Sequence, residues 1–130
     1  MEPLRTAILR HTTADGRHHF DWLLAGGKLV DAEAGEAHCW RCPALLTQLK
    51  LDEHMSVEAL PMHRGLYLSL DAPRQLDQDR GWVEPVARGW AGEETQSAPS
   101  TCRKFVLRFE NTEPLFVKLE GDRLTRVREC

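Results

Sequence analysis

The sequence predicts a mainly β fold, an antiparallel barrel or sandwich carrying one or two short helices. Two observations lead there. Many short segments alternate apolar and polar residues, and turn-forming clusters recur between them. With 130 residues, the chain is expected to form a single domain, 1–130, long enough to bury a core. Hydrophobic residues at 42% and charged residues at 28% fit an ordinary water-soluble domain.

Thr6 to Arg10 reads as a first strand and Thr12 to Gly16 as a turn. His18 to Leu24 is the second strand. On a strand, side chains alternate between faces. Phe20, Trp22 and Leu24 then form a buried set; His19, Asp21 and Leu23 share the other face, which sends His19 and Asp21 outward, into solvent or a cleft. His11, across the turn, is expected to return beside His19 and Asp21. A His, His, Asp set suits a divalent transition metal, with two imidazoles and one hard carboxylate oxygen. A surface hairpin with ordinary histidines is the other reading of the same residues.

Farther along, Ala25 to Lys28 reads as a turn, Lys28 to Val30 as resumed pairing, and Asp31 to Glu36 as an acidic loop. Ala37 to Cys42 is a strand stopped by Pro43. Cys39 and Cys42 make a Cys-x-x-Cys, but Cys102 and Cys130 stand alone, so the pair reads as incidental thiols rather than a zinc or redox motif. Ala44 to Leu51 is the best helical candidate, with leucines at 45, 46 and 49. Val57 to Leu60 recovers strand character, Pro61 to Gly65 carries His63, and Leu66 to Leu70 reads as a strand holding Tyr67. Asp71 to Arg80 is a loop. In Gly81 to Trp90, a strand then a turn, Pro85 demands an edge or a bulge. Ala91 to Ser100 is a loop. Arg103 to Glu110, Leu115 to Glu120 and Arg123 to Arg128 complete a terminal meander. Its Arg103, Lys104, Arg108, Lys118, Arg123, Arg126 and Arg128 would form a local basic patch if several shared a face; a solvated polar face is the plainer reading.

Net charge is −3 with His neutral, so any nucleic-acid contact must come from such a local patch. No apolar run reaches the length of a membrane span, and no signal-peptide pattern follows Met1. The expected location is cytoplasmic.

Three short motifs, in order, resemble the 3'-phosphoesterase domain of bacterial ligase D, a DNA end-processing and repair module, and its stand-alone relatives. They are His11 with His19-Phe20-Asp21-Trp22, His63 with Tyr67, and Gly81-Trp82-Val83 with Ala87-Arg88-Gly89-Trp90, together covering roughly residues 6 to 120. The resemblance implies a small antiparallel β-barrel with a crescent groove. It implies a divalent ion, manganese first among candidates, on His11, His19 and Asp21, with strand parity choosing His19 over His18. It implies catalytic roles for His63, on the scissile phosphate or as general acid-base, and for Tyr67, orienting an oxygen. The implied substrate is a 3'-phosphate or 3'-ribonucleotide end of DNA. The family's Arg and Glu after the Asp are Leu23 and Ala25 here. That substitution supports a second expectation, a β-barrel that binds metal or nucleic acid without turnover.

Overall fold

A computed structural model describes residues 3–26, 35–94 and 102–129. Ten strands make one antiparallel sheet: β1 (Leu4–Thr12), β2 (His18–Gly26), β3 (Gly35–Cys42), β4 (His54–Ser56), β5 (Glu58–Arg64), β6 (Arg74–Gln75), β7 (Trp82–Glu93), β8 (Cys102–Phe109), β9 (Leu115–Glu120) and β10 (Arg123–Arg126). The ladder runs β4-β10-β9-β8-β7-β1-β2-β3-β5, with β6 on β7. The first hairpin is set by its turn. Thr13 N–H donates to the Arg17 carbonyl at 2.8 Å, Asp15 accepts from the Thr13 hydroxyl and the Arg17 N–H, and Gly16 takes φ +86°.

The central strands are apolar on both faces. Ala7, Ile8 and Leu9 in β1, and Phe20 through Ala25 in β2, are buried without a break, as expected of strands covered on two sides. On one face, Ile8, Phe20, Trp22, Leu24, Trp40, Phe105, Leu107 and Val117 form the main core. On the other, Ala7, Leu9, Leu23, Ala25, Ala37 and Cys39 are roofed by Tyr67 and Leu68. Trp22 is the hub of the main core. Its ring lies 4.8 Å from Trp40 and meets Phe105 edge-on at 5.5 Å. Its indole N–H donates to Thr6 Oγ1 at 2.9 Å, and the Thr6 hydroxyl donates onward to the Leu23 carbonyl at 2.9 Å. At the core's end, Arg103 lies over Phe105 and Trp40 while forking onto Glu93 at 2.7 and 2.9 Å.

Several sequence expectations need correction. The sheet is open, not a closed β-barrel: among the described residues, β4 pairs only with β10 and β5 only with β3. The reason is connectivity. The two edge strands are consecutive, separated by Val57 alone. They lie end to end along one stretch of chain, and a strand cannot pair with its own continuation. The expected short helices are also absent among the described residues. Ala44 to Leu51 yields one 3-10 turn, Leu46–Gln48, whose leucine spacing serves to bury Leu46 and Leu49. Leu66 to Leu70 is not a strand but most of a second 3-10 segment, Gly65–Ser69. β5 runs on through Pro61 to Arg64, β2 runs through Gly26, and β7 runs to Glu93. The resumed pairing at 28–30 lies outside the described residues, as do residues 31–34 of the expected acidic loop, while Gly35 and Glu36 begin β3. Pro85 does mark a bulge: Leu9 faces Pro85 and Ile8 faces Ala87, so Val86 is the extra residue.

The basic residues of the meander divide. Lys104 and Lys118 are cross-strand neighbours and Arg108 faces Trp90, but Arg103 is held by Glu93 and Arg126 donates to the Leu49 carbonyl. Among the described residues, no helix is long and apolar enough to cross a membrane.

Thr6→Val should destabilise the fold by about 1–3 kcal/mol, because the buried Trp22 N–H loses its acceptor. Thr6→Ser should recover most of that. Urea midpoints of the three proteins measure the difference.

Candidate metal centre

The turn that closes β1 onto β2 puts His11 directly opposite His19, and Asp21 follows His19 two residues along the same face. On β3, Arg41 is the cross-strand partner of Asp21, and Cys39 that of Leu23. Irregular pairing between β3 and β5 sets His63 opposite Ala37. Of these, His11, His19, Asp21, Arg41 and His63, together with Tyr67, line an open cavity of about 440 Å³.

Three donor atoms converge at its floor. His11 Nε2 lies 2.7 Å from the Arg80 carbonyl oxygen. A carbonyl only accepts, so Nε2 carries the proton and Nδ1 keeps its lone pair. That Nδ1 lies 3.2 Å from His19 Nε2, which in turn lies 3.1 Å from Asp21 Oδ1. Ligands in adjacent positions on one transition-metal ion are separated by about 3 Å or slightly more, from bond lengths near 2.1 Å. Asp21 is 3% exposed, and despite the short approach of His19 its Oδ1 has no hydrogen-bond partner among the described residues. Buried carboxylate oxygens are seldom left so. Two imidazole nitrogens and an orphaned carboxylate oxygen within 4.8 Å of one another fit a divalent cation. The carbonyl that fixes His11 is the usual outer support of a ligating histidine.

Burial pushes the Asp21 carboxyl up from its ordinary range, opposed by His19, His63, His11 and Arg41. Burial pushes His19 down; Asp21 opposes this, while Arg41 and His11 add to it. A depressed His19 is neutral at neutral pH, with its lone pair available to a ligand.

His63 holds Nδ1 at 3.0 Å from the Pro61 carbonyl, which leaves Nε2 as its acceptor nitrogen. Its ring meets Tyr67 edge-on at 6.1 Å. Tyr67 is buried and flanked by the guanidinium groups of Arg64 and Arg74, at 5.9 and 6.0 Å. Of the expected site residues, His11, His19 and Asp21 cluster, and His63 and Tyr67 lie on the same cavity. His18 is exposed and packs on Phe20 instead. Leu23 and Ala25, which replace the charged residues of the resembling pattern, are sealed in the second core.

Sequence reading missed Cys39 and the Arg80 carbonyl. Cys39 and Cys42 occupy opposite faces, one in each core, so they cannot chelate together. Burial raises both thiols, Cys42 to about 12. Cys39 instead forms a second cluster with Asp21 and His63. Arg41 and Cys39 share strand parity with Ala37, a signal that becomes useful only once the β2–β3 register is known. Comparison with protein-family models, curated proteins and solved structures finds no match.

Two outcomes follow. In metal-free protein at neutral pH, Asp21→Asn should raise stability by about 1–2 kcal/mol, by removing a buried carboxylate that lacks a donor. A raised folded-state pKa means that stability is lost as pH climbs from about 4 through that pKa. The gap between variant and wild-type urea midpoints should therefore shrink on acidification. Separately, Gly81 sits at φ +86°, and a Cβ there would lie 1.8 Å from the Thr12 carbonyl oxygen. Gly81→Ala should displace the adjacent Arg80 carbonyl from His11, visible as a changed His11 ring ¹⁵N shift in NMR.

Proposed function

We propose that this chain is a metal-dependent phosphoesterase-like protein that removes 3'-phosphate or 3'-ribonucleotide ends from DNA, as the ligase D 3'-phosphoesterase resemblance implies. The observation that carries the reading is the convergence of His11 Nδ1, His19 Nε2 and Asp21 Oδ1 on a cavity that also presents cations. Arg41, Arg64 and Arg80 all line it. Guanidinium groups match phosphate oxygens with paired donors. They supply from β3, β5 and the segment before β7 the positive charge that Leu23 does not.

When bound, a divalent ion, manganese by preference on the resemblance, supplies Lewis-acid polarisation and acidifies water. The protein's own groups do the rest. His11, His19 and Asp21 hold their donors in place, and Arg80 fixes the His11 tautomer. His63 Nε2, with Nδ1 tied to Pro61, takes up or delivers a proton at the phosphate ester. Tyr67, held between Arg64 and Arg74, orients a phosphate oxygen. Leu9, Leu60, Leu76 and Val83 form the apolar part of the wall and limit water around the reacting group.

A second reading, a metal- or nucleic-acid-binding module without turnover, draws on Leu23 and Ala25. They close off with apolar side chains the positions where the resembling pattern carries charge.

The two separate on a 3'-phosphate-terminated DNA oligonucleotide with Mn²⁺. Phosphate release by the wild type, lowered about 100-fold or more in His63→Ala and by a smaller factor in Tyr67→Phe, is expected of the enzyme. DNA or metal binding with no release of phosphate would leave the module.

A further inference from the structure

Cys39 has no part in that reading, yet it lies beside Asp21 and His63. Its Sγ, a carboxylate oxygen of Asp21 and a ring nitrogen of His63 all lie within 4.8 Å of one another. Cys39 is 2% exposed and Asp21 3%. Two features point at a ligand there, the first of them shared with the His11 and His19 position, and a third leaves the thiol available. Asp21 Oδ1 is buried without a hydrogen-bond partner. His63 gives its Nδ1 proton to the Pro61 carbonyl, so Nε2 offers a lone pair. The thiol is set apart from Cys42 by strand alternation, so it is not one half of a disulfide-forming pair on that strand.

The donor chemistry differs from that of the first cluster. Two imidazoles and a carboxylate accept a broad range of divalent ions. A set that adds a sulfur favours thiophilic ions such as zinc over magnesium, calcium or manganese. We propose that Asp21, Cys39 and His63 form a second cation position, selective for a thiophilic divalent ion such as zinc, which shares the Asp21 carboxylate with the His11 and His19 position. Binding at it displaces the Cys39 proton to solvent and forms a metal–sulfur bond, with no change of oxidation state. The shared carboxylate couples the positions, so a metal at one alters the other's affinity. Paired ions of this kind stand about 3.5–4 Å apart in known two-metal sites, a span one carboxylate bridges. The inference stands on the Cys39 cluster and does not require phosphoesterase activity; an ion held by His63 Nε2 would take the nitrogen that the phosphoesterase reading uses for proton transfer, so filling this position would block that step.

Co²⁺ is the probe, because a thiolate ligand gives it a near-ultraviolet sulfur-to-metal charge-transfer band. Metal-stripped full-length protein is titrated with Co²⁺ alone and followed by absorbance. The band is expected in the wild type, in His11→Ala and in Cys42→Ala, and lost in Cys39→Ser. Mn²⁺ binding, followed by its electron paramagnetic resonance signal, should survive in Cys39→Ser. No band in the wild type would overturn the proposal whether or not any variant folds. So would a band that persists in Cys39→Ser or disappears in Cys42→Ala. Loss of Mn²⁺ binding in His11→Ala while the cobalt band remains would separate the two positions.

Discussion

The alternation of β2 is the constraint on which the site depends. Phe20, Trp22 and Leu24 are drawn into the main core, where Trp22 is fully buried against Trp40 and Phe105. Once that face is chosen, His19 and Asp21 have no freedom to join it. A slip of one residue would put a carboxylate among aromatic rings and force the Trp22 indole into the space that Leu23 fills in the second core, at a cost of several kcal/mol. The hydrogen bonds from Trp22 to Thr6 and from Thr6 to Leu23 lock the same register to β1, which brings His11 opposite His19. Packing on one face thus fixes ligand geometry on the other.

The site is not cheap to keep. Asp21 is almost wholly buried, its Oδ1 lacks a donor, and its charged or chargeable neighbours are three histidines and an arginine rather than a closed ion pair. Such a group persists in a fold when something outside the chain completes it. A cation does so for three donors at once, and binding would then return stability in proportion to the logarithm of its concentration over its dissociation constant. The second core beneath Tyr67 and Leu68 backs this arrangement. It holds β1, β2 and β3 apolar on the site face, so that the polar atoms are confined to the end of the strands nearest the first turn.

How much of this was legible in the sequence follows from which forces are local. The first hairpin was readable because turn chemistry and period-two alternation act within about 16 residues, from Leu9 to Leu24. Pro85 announced its bulge because it has no N–H to give to the ladder. Closure into a barrel was not readable, since it depends on which strands become edges, and here one stretch of chain supplies both. The leucines at 45, 46 and 49 fit a helix and equally a 3-10 turn that drops two of them into the core; so short an apolar run does not discriminate. Leu66 to Leu70 misled for a related reason: its burial comes from roofing the second core, not from pairing. Cys39 was invisible as a partner of Asp21 because their proximity arises from the β2–β3 register, which the turn signal at Ala25 to Lys28 does not set.

The central claim is that His11, His19 and Asp21 are a cation site. Calorimetric titration of metal-free protein with Mn²⁺, wild type against Asp21→Ala, tests it most directly. A saturable, stoichiometric binding event in the wild type that vanishes in Asp21→Ala is the expected result. No binding in a folded wild-type protein, or binding undiminished by Asp21→Ala, would contradict it.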